Sequence, residues 1–485
     1  MKKKLYIINA QTLRLVIICL LSAILLAGIF ATRGAGYIAL PILIFFLVGG
    51  ILDLRFAVWS FIVFVFIPLS YIQRFLFNIS HIYIFFTEFL LITAVLSNVI
   101  HNKKIIIRKN LFLVATGWFC IALVSAIVNE VNLLAIVINY RWLIYLLAGI
   151  YLFESFFDLK MKQKLLKLFV SIGLLNLPVI LLQRYWVFKD ASIWSADRAC
   201  GLFSSYTHLV FFQIFCVVLV LLYWVHKKRF FKAHPLILIL SLISVLAFSN
   251  SRAAWFFLIL IIVYILIKFK IIIKNFKLTL IVVASATIGI IVFGYIMTVT
   301  YPHRARRRFA HINPAYILEH QFGEDFWEPE GIYHPSRGFY LQRGEAIIYN
   351  INLIRKNFPN LIFGMGPGSG ERSRIPGLSG RIYEKYGKSN YLARTIVIKN
   401  ILELGLSGVI IWLLLLFSLY KSNLYGDKNL ANRRVHKVTI VLLFLLSFYA
   451  LILEEMVLVI TLSVLLINKE SSLQNKNKQI ERKYS

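Results

Sequence analysis

Residues 235–267 read PLILILSLISVLAFSNSRAAWFFLILIIVYILI, an apolar run that only a short polar segment interrupts. As one continuous helix this run would be roughly 50 Å long, whereas the hydrocarbon core of a bilayer is about 30 Å thick. We therefore predict two helices joined by a turn at Ser249-Asn250-Ser251. The second helix would begin at Arg252 or Ala253, which places Arg252 at a membrane face.

The composition extends this pattern to the whole chain. Of its 485 residues 60% are hydrophobic, more than the about 45–50% of a soluble domain. We predict an all-α polytopic membrane protein with about 12–14 transmembrane helices. The first apolar run continues into a second, so we expect a retained span and not a removed signal peptide. The candidate spans are 15–31, 36–52, 56–72, 82–100, 111–128, 133–153, 165–187, 207–225, 235–250, 253–268, 278–299, 396–420, 438–453 and 455–468.

The basic residues orient these spans. A net charge of +32 would suggest a nucleic-acid partner in a soluble protein, but here the positive-inside rule accounts for much of it, and no nucleic acid is expected. Alternate connections are basic, which predicts that both termini lie in the cytoplasm. The predicted cytoplasmic connections are 101–110, 158–167, 226–234, 268–277, 421–437 and the tail from Lys469.

Four regions follow from this topology. They are a transmembrane bundle over 1–299, a large, partly helical outer loop over 300–395, C-terminal transmembrane helices over 396–468 and a basic tail over 469–485. The outer loop contains eleven arginines and three lysines. Because the planar guanidinium group suits phosphate better than an ammonium group does, this bias favours phosphate recognition. The alternative is a solvated basic face near anionic lipid.

Arg252 is the first candidate for such recognition. The serines and asparagine before it are good N-cap residues, so the following helix would present free backbone N–H groups beside the guanidinium group. These groups would converge on an anion at the depth of lipid phosphates. The alternative is an arginine whose side chain simply reaches the interface.

The centre of the outer loop reads SRGFYLQRGEAIIYNINLIRKNFPNLIFGMGPGSG over 336–370. The spacing of its apolar residues predicts an amphipathic helix from Gly338 to Asn357, with Arg343 at the border of the apolar face. Pro359 would follow the end of that helix. The glycine run that comes next lacks the lysine and the βαβ context of a P-loop, so we expect a tight turn and no nucleotide site.

Charged residues also lie inside predicted spans. Arg141 lies inside the predicted span 133–153, in the stretch INYRWLIYL, and Glu88 lies inside another predicted span. Such a charge is costly in a bilayer, so Arg141 should face a cavity or a carboxylate. The histidines and cysteines show no metal-binding spacing, so neither a metal nor a cofactor is predicted.

Taken in order, these features resemble the O-antigen ligase and polymerase superfamily. The resemblance rests on the SR turn before a span, the large outer loop with a helix near an arginine, LIFGMGPGSG, and then SNYLARTIVIKNILELGLSGVIIWLLL. It covers roughly residues 198–420. It implies a helical architecture similar to the GT-C class, and an enzyme that acts on undecaprenyl-pyrophosphate-linked glycans at the outer face of the bacterial cytoplasmic membrane.

The resemblance also implies roles for individual residues. The arginine of the SR turn corresponds to Arg252 and that of the loop helix to Arg343, and both are expected to be catalytic by holding the pyrophosphate. The positions that match the remaining family patterns are Gly364, Gly366 and Gly368 for the G-x-G turn, Ser389 and Asn390 for the His-Asn pair, and Glu403, Gly405 and Gly408 for E-x-G-x-x-G. Arg198 and Arg141 are further candidates for substrate binding.

One departure from the family pattern affects the expected reaction. Ligases carry a proposed catalytic histidine where this chain has Ser389, which favours a polymerase of repeat units. The general base is open between Glu384, Glu371 and His334. A polymerase would use lipid-linked oligosaccharides as donor and acceptor, with a chain-length regulator and a flippase as possible partners. The alternatives are a ligase that transfers glycan to a lipid or protein, and a polysaccharide transporter or flippase.

Overall fold

The structure is a computed structural model, and it is mostly helical over the part of the chain that it describes. The described residues are 45–66, 82–102, 108–183, 200–203, 206–226, 228, 231–249, 252–269, 284, 287, 332–334, 338–340, 343–371, 380–386, 395–422, 429–448 and 456–467. The bundle helices are α1 (Leu54–Phe66), α2 (Ile82–Asn102), α3 (Lys109–Val128), α4 (Leu134–Phe156), α5 (Leu159–Leu182), α6 (Tyr206–Val225), α7 (Pro235–Phe248), α8 (Arg252–Lys268), α12 (Ile396–Ser422), α13 (Leu430–Ser447) and α14 (Met456–Leu466).

The region predicted as the outer loop contributes short elements between α8 and α12. These are β1 (Ile332–His334), β2 (Gly338–Tyr340), α9 (Arg343–Ile354), α10 (Phe358–Phe363) and α11 (Arg381–Tyr386). The two strands pair antiparallel, with Ile332 opposite Tyr340 and His334 opposite Gly338. The fold is therefore mostly α-helical, as predicted, with one small hairpin that the sequence did not predict.

Length and composition support a multi-pass membrane protein. Within the described residues, five helices are long and apolar enough to cross a membrane, and several shorter apolar helices accompany them. The five are Lys109–Val128, Leu134–Phe156, Leu159–Leu182, Thr207–Val225 and Ile396–Ser422. The span Thr207–Val225 is almost entirely buried and lies at the centre of the bundle, where α6 packs against α5, α7, α8 and α13.

The predicted break in the apolar run over 235–267 is confirmed. Helix α7 ends at Phe248, and α8 begins at Arg252. Helix α7 starts at Pro235, whose fixed φ suits the first turn of a helix, and the His234 ring accepts a hydrogen bond from the Leu236 amide at 3.3 Å. The two apolar segments are thus separate helices, as the length of the run required.

The described residues of several predicted basic connections lie together at one end of the bundle. The Arg108 guanidinium donates to the carbonyl oxygens of Ser422 at 2.6 Å and Leu466 at 2.7 Å. Lys228 donates to Asn429 at 3.1 Å. We call this side, which carries Arg108, Lys162 and Lys228, the basic end. The opposite side, which carries Asn129 and the glycine-rich segment, is the loop end.

One helix boundary predicted from the sequence was wrong, and two helices begin before the spans predicted within them. The helix expected from Gly338 begins at Arg343, because Gly338–Tyr340 pairs with β1 as a strand. The helix that contains the span predicted from residue 165 begins at Leu159, since Asp158 caps it by accepting a hydrogen bond from the Met161 amide at 2.8 Å.

The second of these helices is α13, which contains the start of the span predicted from residue 438. It begins at Leu430, and Asn429 caps it by accepting from the Ala431 amide at 3.1 Å. Lysine and arginine are good helix formers, so the basic segments expected as connections extend the helices past their apolar parts. The connections 158–167 and 421–437 are correspondingly shorter than predicted.

Candidate functional site

The glycine turn (residues 364–370) is the centre of the candidate site. It begins where α10 ends, and Gly364 has a φ of 74°. A Cβ atom at this position would lie 2.4 Å from the backbone carbon of Glu403. Only glycine therefore allows the turn to approach α12 this closely. The expected G-x-G turn exists, and it lies directly against the segment that carries the E-x-G-x-x-G pattern.

Helix α12 is broken where the glycine turn contacts it. Gly405 has φ 64° and ψ −151°, which no α-helical residue adopts. A break of this kind leaves carbonyl groups in the preceding turn without their helical donors. The turn supplies replacements, since the Met365 amide donates to the Leu402 carbonyl at 2.8 Å and the Gly366 amide to the Glu403 carbonyl at 3.2 Å.

Helix α3 adds two side chains to this contact. The Ser125 hydroxyl donates to the Glu403 carbonyl oxygen at 2.8 Å. The Asn129 amide group donates to the Gly364 carbonyl oxygen at 2.9 Å. Hydrogen bonds therefore join the turn, the broken helix and α3. The turn and α12 contribute backbone groups, and α3 contributes side chains. This arrangement fixes the base of the large loop on the bundle.

A buried carboxyl group lies beside the helix break. The Glu403 side chain is fully buried, and the Tyr140 hydroxyl donates to its Oε2 at 2.7 Å. Tyr140 itself interrupts the helical geometry of α4, with φ −112° and ψ 16°. The backbone amide of Gly368 also approaches the carboxyl group, and Oε1 receives no well-aligned hydrogen bond from the described residues. The Tyr140–Glu403 pair thus joins irregular points in two helices.

Lys399 extends this network towards the loop. It lies one helical turn before Glu403, on the same face of α12. Its Nζ forms an ion pair with Glu371 Oε1 at 2.6 Å, and its side chain is 95% buried by the surrounding residues, with 5% exposed. A row of polar side chains therefore runs from the interior of the bundle to the edge of the loop, in the order Tyr140, Glu403, Lys399 and Glu371.

The candidate bases occupy different environments. The Glu371 carboxylate is engaged by Lys399, whereas Glu384 is exposed on the short helix α11. His334 is the last residue of β1, and its side chain lies outside the described atoms. Of the two candidates whose side chains the structure describes, Glu371 is part of the network beneath the glycine turn and Glu384 is not.

The structure describes the candidate arginines to different extents. Arg252 is the first residue of α8 and Arg343 the first residue of α9, while the positions of both side chains lie outside what the structure describes. Arg141 is described, and its Nε lies 3.5 Å from Glu88 Oε1. The expected carboxylate partner of Arg141 is therefore present.

The remaining candidates include three residues outside the described ranges, namely Arg198, Ser389 and Asn390. Of the other glycines, Gly366 packs against Val131, and Gly368 packs against Asn139. Within the described residues, no group of histidine, cysteine and acidic side chains has the arrangement of a metal site.

Sequence reasoning from residue chemistry alone missed Tyr140 and Lys399. Lys399 carried a usable signal, because a lysine and a glutamate one turn apart in an apolar segment mark a functional or structural polar site. Tyr140 carried none, since a tyrosine within an apolar helix is ordinary. Only the packing of α4 against the break in α12 reveals its role.

The comparisons with known proteins add no relative from which a role could be transferred. No protein-family model matches this chain, and no curated protein matches it. The candidate site at the loop end therefore rests on its own geometry and chemistry.

Proposed function

We propose that this protein is a membrane glycosyltransferase that joins oligosaccharide repeat units carried on undecaprenyl pyrophosphate. The reaction would take place at the loop end, on the outer face of the bacterial cytoplasmic membrane, with the basic end in the cytoplasm. The products would be O-antigen, capsule or exopolysaccharide chains. The basic connections gathered at one end support this orientation, because positive residues favour the cytoplasmic side.

The observation that carries the proposal is the rigid attachment of α9, whose first residue is Arg343. Near its N-terminal end, Ala346 packs in a buried cluster with Ile398 and Leu402 of α12. At its C-terminal end, Ile354 packs with Val397 and Ile401. Two apolar clusters therefore hold α9 against the first half of α12, so that its N-terminus has a defined position at the loop end.

A fixed helix N-terminus beside an arginine suits a pyrophosphate leaving group. In the proposed reaction, an acceptor sugar hydroxyl attacks the anomeric carbon of the donor sugar and loses its proton to a base. The bond between that carbon and the pyrophosphate oxygen breaks, and the electron pair leaves with the pyrophosphate. Backbone amides at the starts of α8 and α9, with Arg252 and Arg343, would stabilise this negative charge without needing a metal.

A transporter is the alternative from another class, and the broken helix α12 is the observation that favours it. Transporters bind substrates and ions at helix breaks, where free backbone groups face a cavity. Here the carbonyl oxygens of Leu402 and Glu403 already accept hydrogen bonds from the glycine turn and from Ser125. Those groups are thus used in fixing the loop, which supports an anchoring role for the break.

Purified protein in liposomes with lipid-linked repeat units alone provides the test. A ladder of longer lipid-linked glycans is expected for a polymerase. Product that forms only when a different lipid or protein acceptor is added would indicate the ligase alternative. Movement of the lipid-linked unit across the bilayer without a new glycosidic bond would contradict both enzyme hypotheses and support a flippase.

Arg343→Ala and Arg355→Ala form a matched pair for the same assay. Arg343 is the first residue of α9, whereas Arg355 directly follows its last residue and is exposed. We expect Arg343→Ala, like Arg252→Ala, to reduce transfer by at least about 100-fold, as loss of a preorganised charge does in other transfer enzymes. Arg355→Ala should remain within about twofold of the parent protein. Equal activity in all three variants would rule out the pyrophosphate role.

A further inference from the structure

A second polar feature of the loop end lies on the outside of the bundle, away from the glycine turn. Arg141 follows Tyr140 directly in α4, yet Tyr140 faces inward to Glu403 while Arg141 faces Glu88 of α2. The Arg141 side chain remains 40% exposed, and that of Glu88 is 12% exposed. The guanidinium group therefore lies at the surface of a helix that is apolar and long enough to cross a membrane.

The residues around Arg141 on α4 form an apolar stripe. Leu134, Val137 and Ile144 are exposed, and with Arg141 they recur at the three- and four-residue spacing of one helix face. On the neighbouring α2, Ile92 and Leu96 continue the row that begins at Glu88. A charged group in such a surface is costly in lipid unless a partner of opposite charge accompanies it.

Glu88 satisfies only part of the guanidinium group. The Nε–Oε1 distance of 3.5 Å is an ion pair without a close hydrogen bond, and Tyr145 also hydrogen-bonds to Glu88. Arginine has five N–H donors in a planar arrangement that matches two oxygens of a phosphate. Within the described part of the chain, Glu88 is the recorded partner of Arg141, so the exposed side of the guanidinium group has further donors for a ligand.

The depth of Arg141 suits a lipid phosphate. Arg141 lies seven residues after the first residue of α4, or about 10 Å along the helix from the loop end. Side chains on a helix tilt towards its N-terminus, so a long arginine side chain reaches back towards the interface. The end of that reach is close to the boundary where phosphate groups meet the hydrocarbon core.

We propose that Arg141 binds the phosphate group of a membrane lipid, whose hydrocarbon chain lies along the exposed apolar residues Ile144, Ile92 and Leu96. Glu88, held by Tyr145, orients the guanidinium group and competes with the phosphate for it. The site does not depend on transfer activity. If the proposed transferase function also holds, this is a surface on which a phosphate-bearing lipid donor docks before it reaches the glycine turn.

Native mass spectrometry of the full-length protein tests the site with three probes. These are a polyisoprenyl phosphate, the polyisoprenol with the same chain but no phosphate, and inorganic phosphate. We expect one retained polyisoprenyl phosphate and no retained alcohol. Equal retention of the alcohol would overturn the role of the phosphate, and displacement of the lipid by millimolar inorganic phosphate would show a free-anion site in place of a lipid site.

Matched variants separate binding from structure. Arg141→Gln should weaken polyisoprenyl phosphate binding roughly tenfold through loss of charge-assisted hydrogen bonds. Arg355→Gln removes the same charge from the exposed loop and should leave binding unchanged. Unaltered binding in Arg141→Gln would overturn the proposal.

Glu88→Gln gives the opposite prediction and remains decisive if Arg141→Gln does not fold. Removal of the competing carboxylate should tighten lipid binding roughly threefold, in the range of a partly exposed ion pair. Unchanged or weaker binding in this variant would show that Glu88 and Arg141 form only a structural pair. A protein that fails to polymerise glycans but binds the lipid in this pattern would contradict the proposed function and leave this site intact.

Discussion

The two ends of the bundle use arginine differently. At the basic end, Arg108 pairs with Glu154 and donates to the Ser422 and Leu466 carbonyl oxygens, and its side chain is only 17% exposed. At the loop end, Arg141 has one ion pair, at 3.5 Å, and is 40% exposed. The same residue type is thus enclosed by protein at one end and presented to the surroundings at the other.

Helix geometry explains the difference. The last carbonyl groups of α12 and α14 at the basic end have no helical donors, and Arg108 supplies them. Lys162 does the same for the carbonyl oxygens of Leu465 at 2.9 Å and Ile467 at 3.1 Å. At the loop end, backbone amides of the glycine turn donate hydrogen bonds to the carbonyl groups that the break in α12 leaves without helical donors. These carbonyl groups therefore do not require an arginine, which agrees with our proposal that Arg141 binds a ligand.

The largest expected effect comes from a substitution that prevents the close contact between the glycine turn and α12. Gly364→Val would place a branched side chain at a φ of 74°, within 2.4 Å of the Glu403 backbone. We expect a loss of stability above about 3 kcal/mol, because both the backbone conformation and the packing would have to change. The yield of monodisperse protein and the midpoint of an SDS unfolding titration measure it.

Gly370→Val is the control for that variant, since Gly370 lies at the end of the same turn and does not have a positive φ. It should lower the midpoint much less. Equal behaviour of the two variants would mean that the contact with α12 does not anchor the turn.

The next effect tests the contrast between the two arginines directly. Arg108→Gln leaves Glu154 and two helix-terminal carbonyl groups without their donor, so we expect a loss of about 3 kcal/mol. Arg141→Gln is the same chemical change at the loop end and should cost less than about 1 kcal/mol, as for a partly exposed pair. Unfolding titrations of both proteins in one detergent compare them. A larger loss in Arg141→Gln would reverse the contrast.

An effect smaller than that of Arg108→Gln concerns the buried pair at the helix break. Tyr140→Phe removes the donor to the fully buried Glu403 carboxyl group, and we expect a loss of about 2 kcal/mol. Adding Glu403→Leu should recover part of that loss, because a buried polar group without a partner costs more than an apolar replacement of both partners. The unfolding midpoints of the two single variants and the double variant form the cycle. If the loss of stability in the double variant equals the sum of the losses in the two single variants, the two side chains are not coupled.

Several features could be predicted because local rules determine them. The break over Ser249-Asn250-Ser251 followed from the length of the apolar run and is present between α7 and α8. The shared face of the basic connections followed from their alternation along the chain, and hydrogen bonds at the basic end agree with it. Membrane-spanning length and charge distribution are properties of segments, so they need no knowledge of packing.

Other features could not be predicted because they depend on neighbours far away in the chain. The helix expected from Gly338 starts at Arg343, since β1 pairs with Gly338–Tyr340 and takes these residues out of the helix. Capping by Asp158 and Asn429 extended two helices into segments that their charge marked as connections. In each case a contact outweighed a pattern of apolar and charged residues.

The sequence by itself determined a mostly helical membrane protein, its alternating basic connections and the glycine turn at residues 364–370. Only the tertiary structure decided that this turn closes on a broken helix, that Tyr140 reaches Glu403, and that Arg141 faces outward beside Glu88. Hydropathy and charge act along a segment and can be read from it directly. The pairing of a buried carboxyl group depends on how helices far apart in the chain pack, and a linear pattern does not contain that information.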